Sequence, residues 1–325
     1  MYYIGKNYAL ESNDKLALAF DKILNNIDFS QMSEKDFAEL LRDKYAEKMK
    51  EWYESPNNIL DNGNLVDYVQ NLSEQDLLDF SFGFISQFDF DLPDFMQIKL
   101  KNISTKNRDL ILNKLLTISA EKRDQYHEYE DGLSEIYTAN RLLAILALWN
   151  STDYARKILT WFLSVNVPDD RLADAVVFYF EKNDLHANKE LIECLNEILD
   201  SDNREKVQTK YLLQALTNFT KKFSALSYSG AAEDLKDESY KILRKAFRNL
   251  KEKNFVVLCL GDLAYARAIP LLRTYVEEHE STIEEQLYYD IVSSLKRLGA
   301  NLEDFPDPSL RFALERKNRV NRNSL

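Results

Sequence analysis

The sequence predicts an all-α protein, and three observations carry the prediction. Apolar residues recur at i, i+3 or i+4, and i+7 along almost the whole chain, the spacing of one face of a helix. The 325 residues include only 7 glycines and 6 prolines, too few for the positive-φ turns of a hairpin-rich β fold. Two apolar-periodic stretches open on a serine with an acid three residues later, Ser33 with Asp36 and Ser73 with Asp76, which resembles a capping box.

Taken in order, Leu16, Phe20, Ile23 and Leu24 mark a first helix by their spacing. Phe37, Leu41, Tyr45, Met49 and Trp52 mark a second, begun by Ser33-Glu34-Lys35-Asp36. A further helix starts at Ser73-Glu74-Gln75-Asp76. Later helices are expected near 107–119, 133–149, 154–164, 169–181, 187–199, 204–223, 234–251, 254–261, 266–279, 283–298 and 309–318. Brief polar turns join them, which invites a search for repeats.

A repeat is visible at the turns. WNSTDYARKIL (149–159), FEKNDLHANKELI (180–192) and LGDLAYARAIPLL (260–272) share an apolar helix end, a polar turn and an apolar helix start. Weaker counterparts begin at Phe219 and at Leu298-Gly299, so the spacings are 31, 39, 41 and 38 residues. Helical-hairpin repeats run to about 33–47 residues. Pro270 is tolerated if it sits in the opening turn of the second helix of a hairpin, where an N–H has no intrahelical acceptor. On that reading Gly261 ends the preceding helix with positive φ, and Asp262 accepts from the orphan donors of the next. Ala266 and Ala268 then let the two helices approach, and Ile269, Leu271 and Leu272 face inward.

Leu260-Gly261-Asp262 followed by Ala268-Ile269-Pro270-Leu271-Leu272 resembles the turn and helix start of HEAT-like repeats of the phycobilisome-lyase type. The resemblance extends over roughly residues 107–320, with this one repeat specific and the others degenerate; those near 149 and 180 lack both Gly and Pro. It implies a right-handed α-solenoid of HEAT-like helical hairpins with a helical N-terminal region. Residues 1–105 would form that acidic region and 106–325 the repeats, ending in a basic tail. Stacked hairpins leave a long concave surface made by their second helices.

Charge is segregated. The chain carries −12 overall, yet residues 51–98 hold ten acids and no Lys or Arg. Within them, DFSFGFISQFDFDLPDF (79–95) mixes six Phe with four Asp. The Phe residues either pack inward while the acids cap short helices, or form an acidic, aromatic surface for a basic partner through Asp89, Asp91 and Asp94. Lys241, Arg244, Arg248 and Lys251 recur at spacings of 3, 4 and 3, a basic stripe opposite Leu243, Ala246, Phe247 and Leu250. The tail RFALERKNRVNRNSL adds five basic residues against one acid.

No chemistry is legible. His127, His186 and His279 stand far apart, and no H-E-x-x-H, C-x-x-C, P-loop or G-x-S-x-G pattern occurs. Cys194 and Cys259 read as buried free thiols. No metal, cofactor or catalytic residue is expected, and we read the chain as non-enzymatic. The opening MYYIGKNYALESND lacks a basic segment ahead of an apolar core, so no signal peptide is expected. The longest apolar run, Leu142–Trp149, is eight residues, so no membrane span and a cytoplasmic location are expected.

These readings point to a protein–protein interaction module or scaffold. Its inner face would present Tyr154, Arg156, Lys189, Tyr265, Arg267 and Arg273, with the acidic segment meeting a basic protein. An alternative is a nucleic-acid-directed protein resembling the HEAT-like alkylpurine DNA glycosylases, with Trp149 and Trp161 in its groove, which the net acidity disfavours. Another is an acidic inhibitor or immunity-type protein that mimics nucleic acid.

Overall fold

The chain is all-α. The computed structural model describes residues 1–27, 32–88, 92–118, 131–226 and 230–313. Among them it places fifteen α-helices and no strand, only an isolated bridge between Asn57 and Gly63. No described helix is long and apolar enough to cross a membrane. Packing divides the chain into two compact units: residues 1–149 with 169–172, and 150–168 with 173–325.

The first unit contains α1 (Tyr2–Asn25), α2 (Glu34–Glu54), α3 (Leu65–Asn71), α4 (Glu74–Ile85), α5 (Asp94–Lys101), α6 (Thr105–Leu116) and α7 (Asp131–Leu146). Its centre is α4, which packs on α1, α6 and α7. The α1–α4 crossing is set by two glycines. A Cβ on Gly5 would stand 2.1 Å from the Phe80 carbonyl oxygen, and one on Gly83 would stand 1.9 Å from that of Tyr2. Backbone therefore touches backbone in both directions. Beside the crossing, Phe80, Phe84 and Phe88 are fully buried with Tyr8. Trp52 covers them, its ring 5.3 Å from Phe88 and 5.3 Å from Tyr8. The Phe residues of α4 at 80 and 84 thus pack inward.

The serine starts form as expected. Ser33 and Ser73 accept from the backbone N–H of Asp36 and Asp76, and each hydroxyl donates to the same aspartate's carboxylate at 2.7 Å. α2 is unusual in having no fully buried residue. Phe37, Leu41, Tyr45, Met49 and Trp52 are only half-buried. The helix is instead laced by pairs one turn apart: Lys44 with Glu47 at 3.1 Å, Lys48 with Glu51 at 2.5 Å, and Lys50 with Glu54 at 3.9 Å.

α9 (Asp170–Lys182) begins in the first unit and continues into the second. The second unit also holds α8 (Thr152–Ser164), α10 (Leu185–Asp200), α11 (Val207–Leu226), α12 (Gly230–Asn249), α13 (Asn254–Asp262), α14 (Ala268–His279) and α15 (Glu285–Arg297). From α10 onward each helix packs on its successor. Helices also pack two positions apart, α8 on α10, α10 on α12, α12 on α14, α11 on α13 and α13 on α15.

Pro270 is the third residue of α14, inside its opening turn, where its missing N–H leaves no acceptor unfilled. The rest of that turn differs from expectation. Gly261 lies within α13 and is buried, and the positive φ of the turn, 51°, belongs to Ala264. Gly261 instead admits α15: a Cβ there would stand 2.7 Å from the Ser294 hydroxyl. Asp262 caps nothing on α14; it pairs with Arg297 of α15. Ala268 and Leu272 are fully buried, whereas Ala266 is exposed and Ile269 and Leu271 are half-buried.

Candidate functional site

Among the described residues, a cleft lined by several cations lies between α12 and α14. α12 is strongly amphipathic because Leu235, Ile242, Leu243, Ala246 and Phe247 all lie on its buried side. Its other side carries five cations, and three have carboxylate partners. Lys236 pairs with Glu233 at 3.5 Å, Lys241 with Asp237 at 2.8 Å and Lys245 with Asp200 at 2.7 Å. Asp237 is shared with Arg267, and the hydrogen bond from Lys241 is the largest of the effects that hold its carboxyl below the usual range.

Arg244 and Arg248 differ. Both are exposed, one helical turn apart, and among the described residues neither has an ion pair or hydrogen bond. They border a cleft of about 570 Å³ whose walls include Tyr240, Phe247, Pro270, Leu271, Thr274 and Tyr275. Lys253 also lines the cleft. Its ammonium donates to the carbonyls of Phe247 at 2.7 Å and Leu250 at 2.8 Å, and stands 5.4 Å from the Phe247 ring centre. Those carbonyls end α12, where the helix dipole favours a cation. Burial is the main influence on this ammonium and lowers its pKa. Glu278 is the one acid on the lining, so three cations face one carboxylate.

A second cleft, about 740 Å³, runs between α1 and α2 over Leu16, Ile23, Leu40 and Trp52. It is larger but electrostatically quieter. Lys15, Lys44 and Lys48 on its walls pair with Glu11, Glu47 and Glu51, and Lys22 adds one cation without an ion pair among the described residues. Exposed pairs of this kind contribute little.

The other residues singled out in the sequence are dispersed. Tyr154 is buried, in the first turn of α8. Arg156 makes a two-pronged bond to Glu190 at 2.8 and 2.7 Å, which raises its pKa. Lys189 is exposed on α10, and Lys251 is exposed just beyond α12. Arg267 lies 5.4 Å from the ring of Tyr265 as well as on Asp237. Arg273 donates to the Asn301 carbonyl at 2.6 Å and rests on Phe305. Only Arg244 and Arg248 share the α12–α14 cleft. Tyr275, Thr274 and Lys253 escaped sequence reading, since the α14 residues lie some thirty positions further along; the repeat register was the one signal pointing to them.

Asp89 and Asp91 lie outside the described residues, as does His127. Asp94 is exposed in the first turn of α5. Several other acids of this region sit at helix starts. Asp67 receives from Asn64 at the start of α3, and Glu74 receives the backbone N–H and hydroxyl of Ser104 and the amide of Asn107 at the start of α6. The backbone N–H of Ser104 is the largest influence holding Glu74 below the usual carboxylate range. Trp161 is buried, and the indole of Trp149 donates to the Lys101 carbonyl at 3.0 Å.

No group of His, Cys, Asp and Glu among the described residues could hold a metal ion. Cys259 is buried as expected, whereas Cys194 is only half-buried; burial pushes both thiols up to about 12. Ellman's reagent at pH 8 is therefore expected to leave Cys259 of the native chain unlabelled within minutes, to label half-buried Cys194 more slowly than a free thiol, and to label both at once in denaturant. Rapid labelling of two thiols in the native protein would contradict the burial of Cys259. Comparison with known family models, curated proteins and solved structures finds no match to the chain.

Proposed function

We propose that the chain is a non-enzymatic interaction module that binds an acidic segment of a partner protein in the cleft between α12 and α14. Its second unit, on this reading, is a HEAT-like solenoid, supported by helices that pack on their neighbours and on the helix two positions away. The observation that carries the proposal is the pair of unneutralised arginines, Arg244 and Arg248, on a helix whose other cations are each matched. Guanidinium groups bind carboxylates two-pronged, so a passing acidic chain gains both charge and geometry there. The acids of residues 51–98 that sit at helix starts serve their own fold, which favours an acidic partner here over a basic one.

The test is fluorescence anisotropy with a labelled peptide of alternating Glu and Leu, a matching Lys–Leu peptide and a duplex DNA. The Glu peptide should bind at low salt, and the double variant R244E/R248E should weaken it at least tenfold. The Lys peptide should not bind through these arginines. A Glu peptide indifferent to the double variant would overturn the proposal. So would tight DNA binding lost in the same variant, which would place the chain among nucleic-acid binders with a steep salt dependence.

A further inference from the structure

The cleft is more than a basic patch, because its charges stand at the rim of an apolar and aromatic hollow. Arg244 and Arg248 lie one turn apart on the exposed side of α12, free of carboxylates among the described residues. Lys253 adds a third positive charge, fixed by two carbonyls above a ring. Below the rim, Phe247 is buried, and Tyr240 and Tyr275 contribute half-buried rings. Pro270 and Leu271 complete the apolar wall.

A single carboxylate matches this arrangement poorly. After Glu278 is counted, two positive charges remain, and two guanidinium forks ask for more acceptors than one carboxylate carries. A phosphomonoester brings a charge of about −1.5 to −2 and three acceptor oxygens, which suits two arginines and a nearby ammonium. The aromatic walls ask for a flat apolar group beside that anion. A cleft of about 570 Å³ has room for both.

Resting on the proposed binding of an acidic partner, we infer that the α12–α14 cleft recognises an aryl phosphate, a phosphorylated tyrosine side chain of the partner protein. The phosphate meets Arg244 and Arg248, and the ring lies against exposed Pro270 and half-buried Tyr275, whose own ring stacks on His279. Partner binding is then switched by phosphorylation, since the unmodified ring brings no charge to the rim.

The test uses the full chain and four labelled decapeptides of one sequence: two glutamates flanking phosphotyrosine, tyrosine, phosphoserine or glutamate. The phosphotyrosine peptide should bind at least tenfold more tightly than its tyrosine and phosphoserine counterparts. R244A/R248A should abolish that difference. Both arginines are exposed, so the variant keeps its fold, which an unchanged thermal midpoint verifies. Tyr275→Ala should narrow the gap between phosphotyrosine and phosphoserine while leaving arginine dependence in place. Equal binding of the phosphotyrosine, tyrosine and glutamate peptides, all lost in R244A/R248A, overturns the inference and leaves the acidic-segment reading standing. Failure of every peptide to bind overturns both.

Discussion

Replacing Gly83 with alanine should drive α1 off α4 and unfold the first unit far below the denaturant concentration that the native chain tolerates. The added Cβ would lie 1.9 Å from the Tyr2 carbonyl oxygen and 2.9 Å from the Lys6 nitrogen. A carbon beside a carbonyl oxygen settles at about 3.3–3.6 Å even in a favourable C–H···O contact. The obstacles are backbone, so no side-chain rotation relieves them; the helices must part by more than an ångström. Gly5 meets Phe80 in the same way from the other side, so the crossing has no slack in either partner. Alanine's better helix propensity returns about 1 kcal/mol, and overpacking of this severity costs about 3 kcal/mol or more beyond that. Urea unfolding followed by circular dichroism reads the loss. Gly230→Ala is the matched control, because a Cβ there meets nothing within 4 Å. It should leave stability unchanged or raise it by up to about 1 kcal/mol. A Gly83→Ala midpoint equal to that of the native chain would show that the helices do not cross this closely.

Phe84→Ala should be comparably damaging for the opposite reason, a void instead of a clash. Its ring lies 4.3 Å from Phe88, 6.0 Å from Phe80, 6.3 Å from Tyr8 and 6.5 Å from Trp52, and it has no exposed surface. Truncating a phenylalanine in such a place costs about 3–5 kcal/mol, because rings held by four neighbours collapse only partly into the space. Phe82, two residues earlier and half-buried, should lose much less when truncated. Trp52 provides a second readout: its emission should move to the red as water reaches a ring that now packs on Phe84. Equal losses at Phe82 and Phe84 would contradict the inward stacking of the α4 aromatics.

How much of the molecule is readable in the residues divides along a physical line. Whatever depends on neighbours in the chain is legible. Ser33 and Ser73 announce their helices because a cap acts across three residues. The all-α class comes from period and composition, and Pro270 falls in an opening turn as its chemistry requires. Whatever depends on distant chain is not. Gly261 reads like a helix terminator because glycine permits positive φ, but its lack of a side chain is used by Ser294, thirty-three residues away. Gly5 and Gly83 carry no local sign of their mutual contact. At the site, the spacing of Arg244 and Arg248 puts them on one helix face, while their lack of partners, unlike Lys241 beside them, is a property of the folded surface. Tyr154 stands four, seven and eight residues before Ile158, Trp161 and Phe162, on the buried side of α8, so spacing itself places it in the core and the expectation of a binding face there is wrong.

α2 has no fully buried residue, and it meets the core through the half-buried rings of Tyr45 and Trp52. Each of its exposed pairs contributes little, and at 1 M salt the screening length shrinks to about 3 Å. Concentrated electrolyte thus weakens the pairs of α2 while leaving the ring contacts of Trp52 with Tyr8 and Phe88 intact. Hydrogen exchange at high salt is expected to protect the amides of α4, which has seven buried residues, for longer than those of α2, which has none.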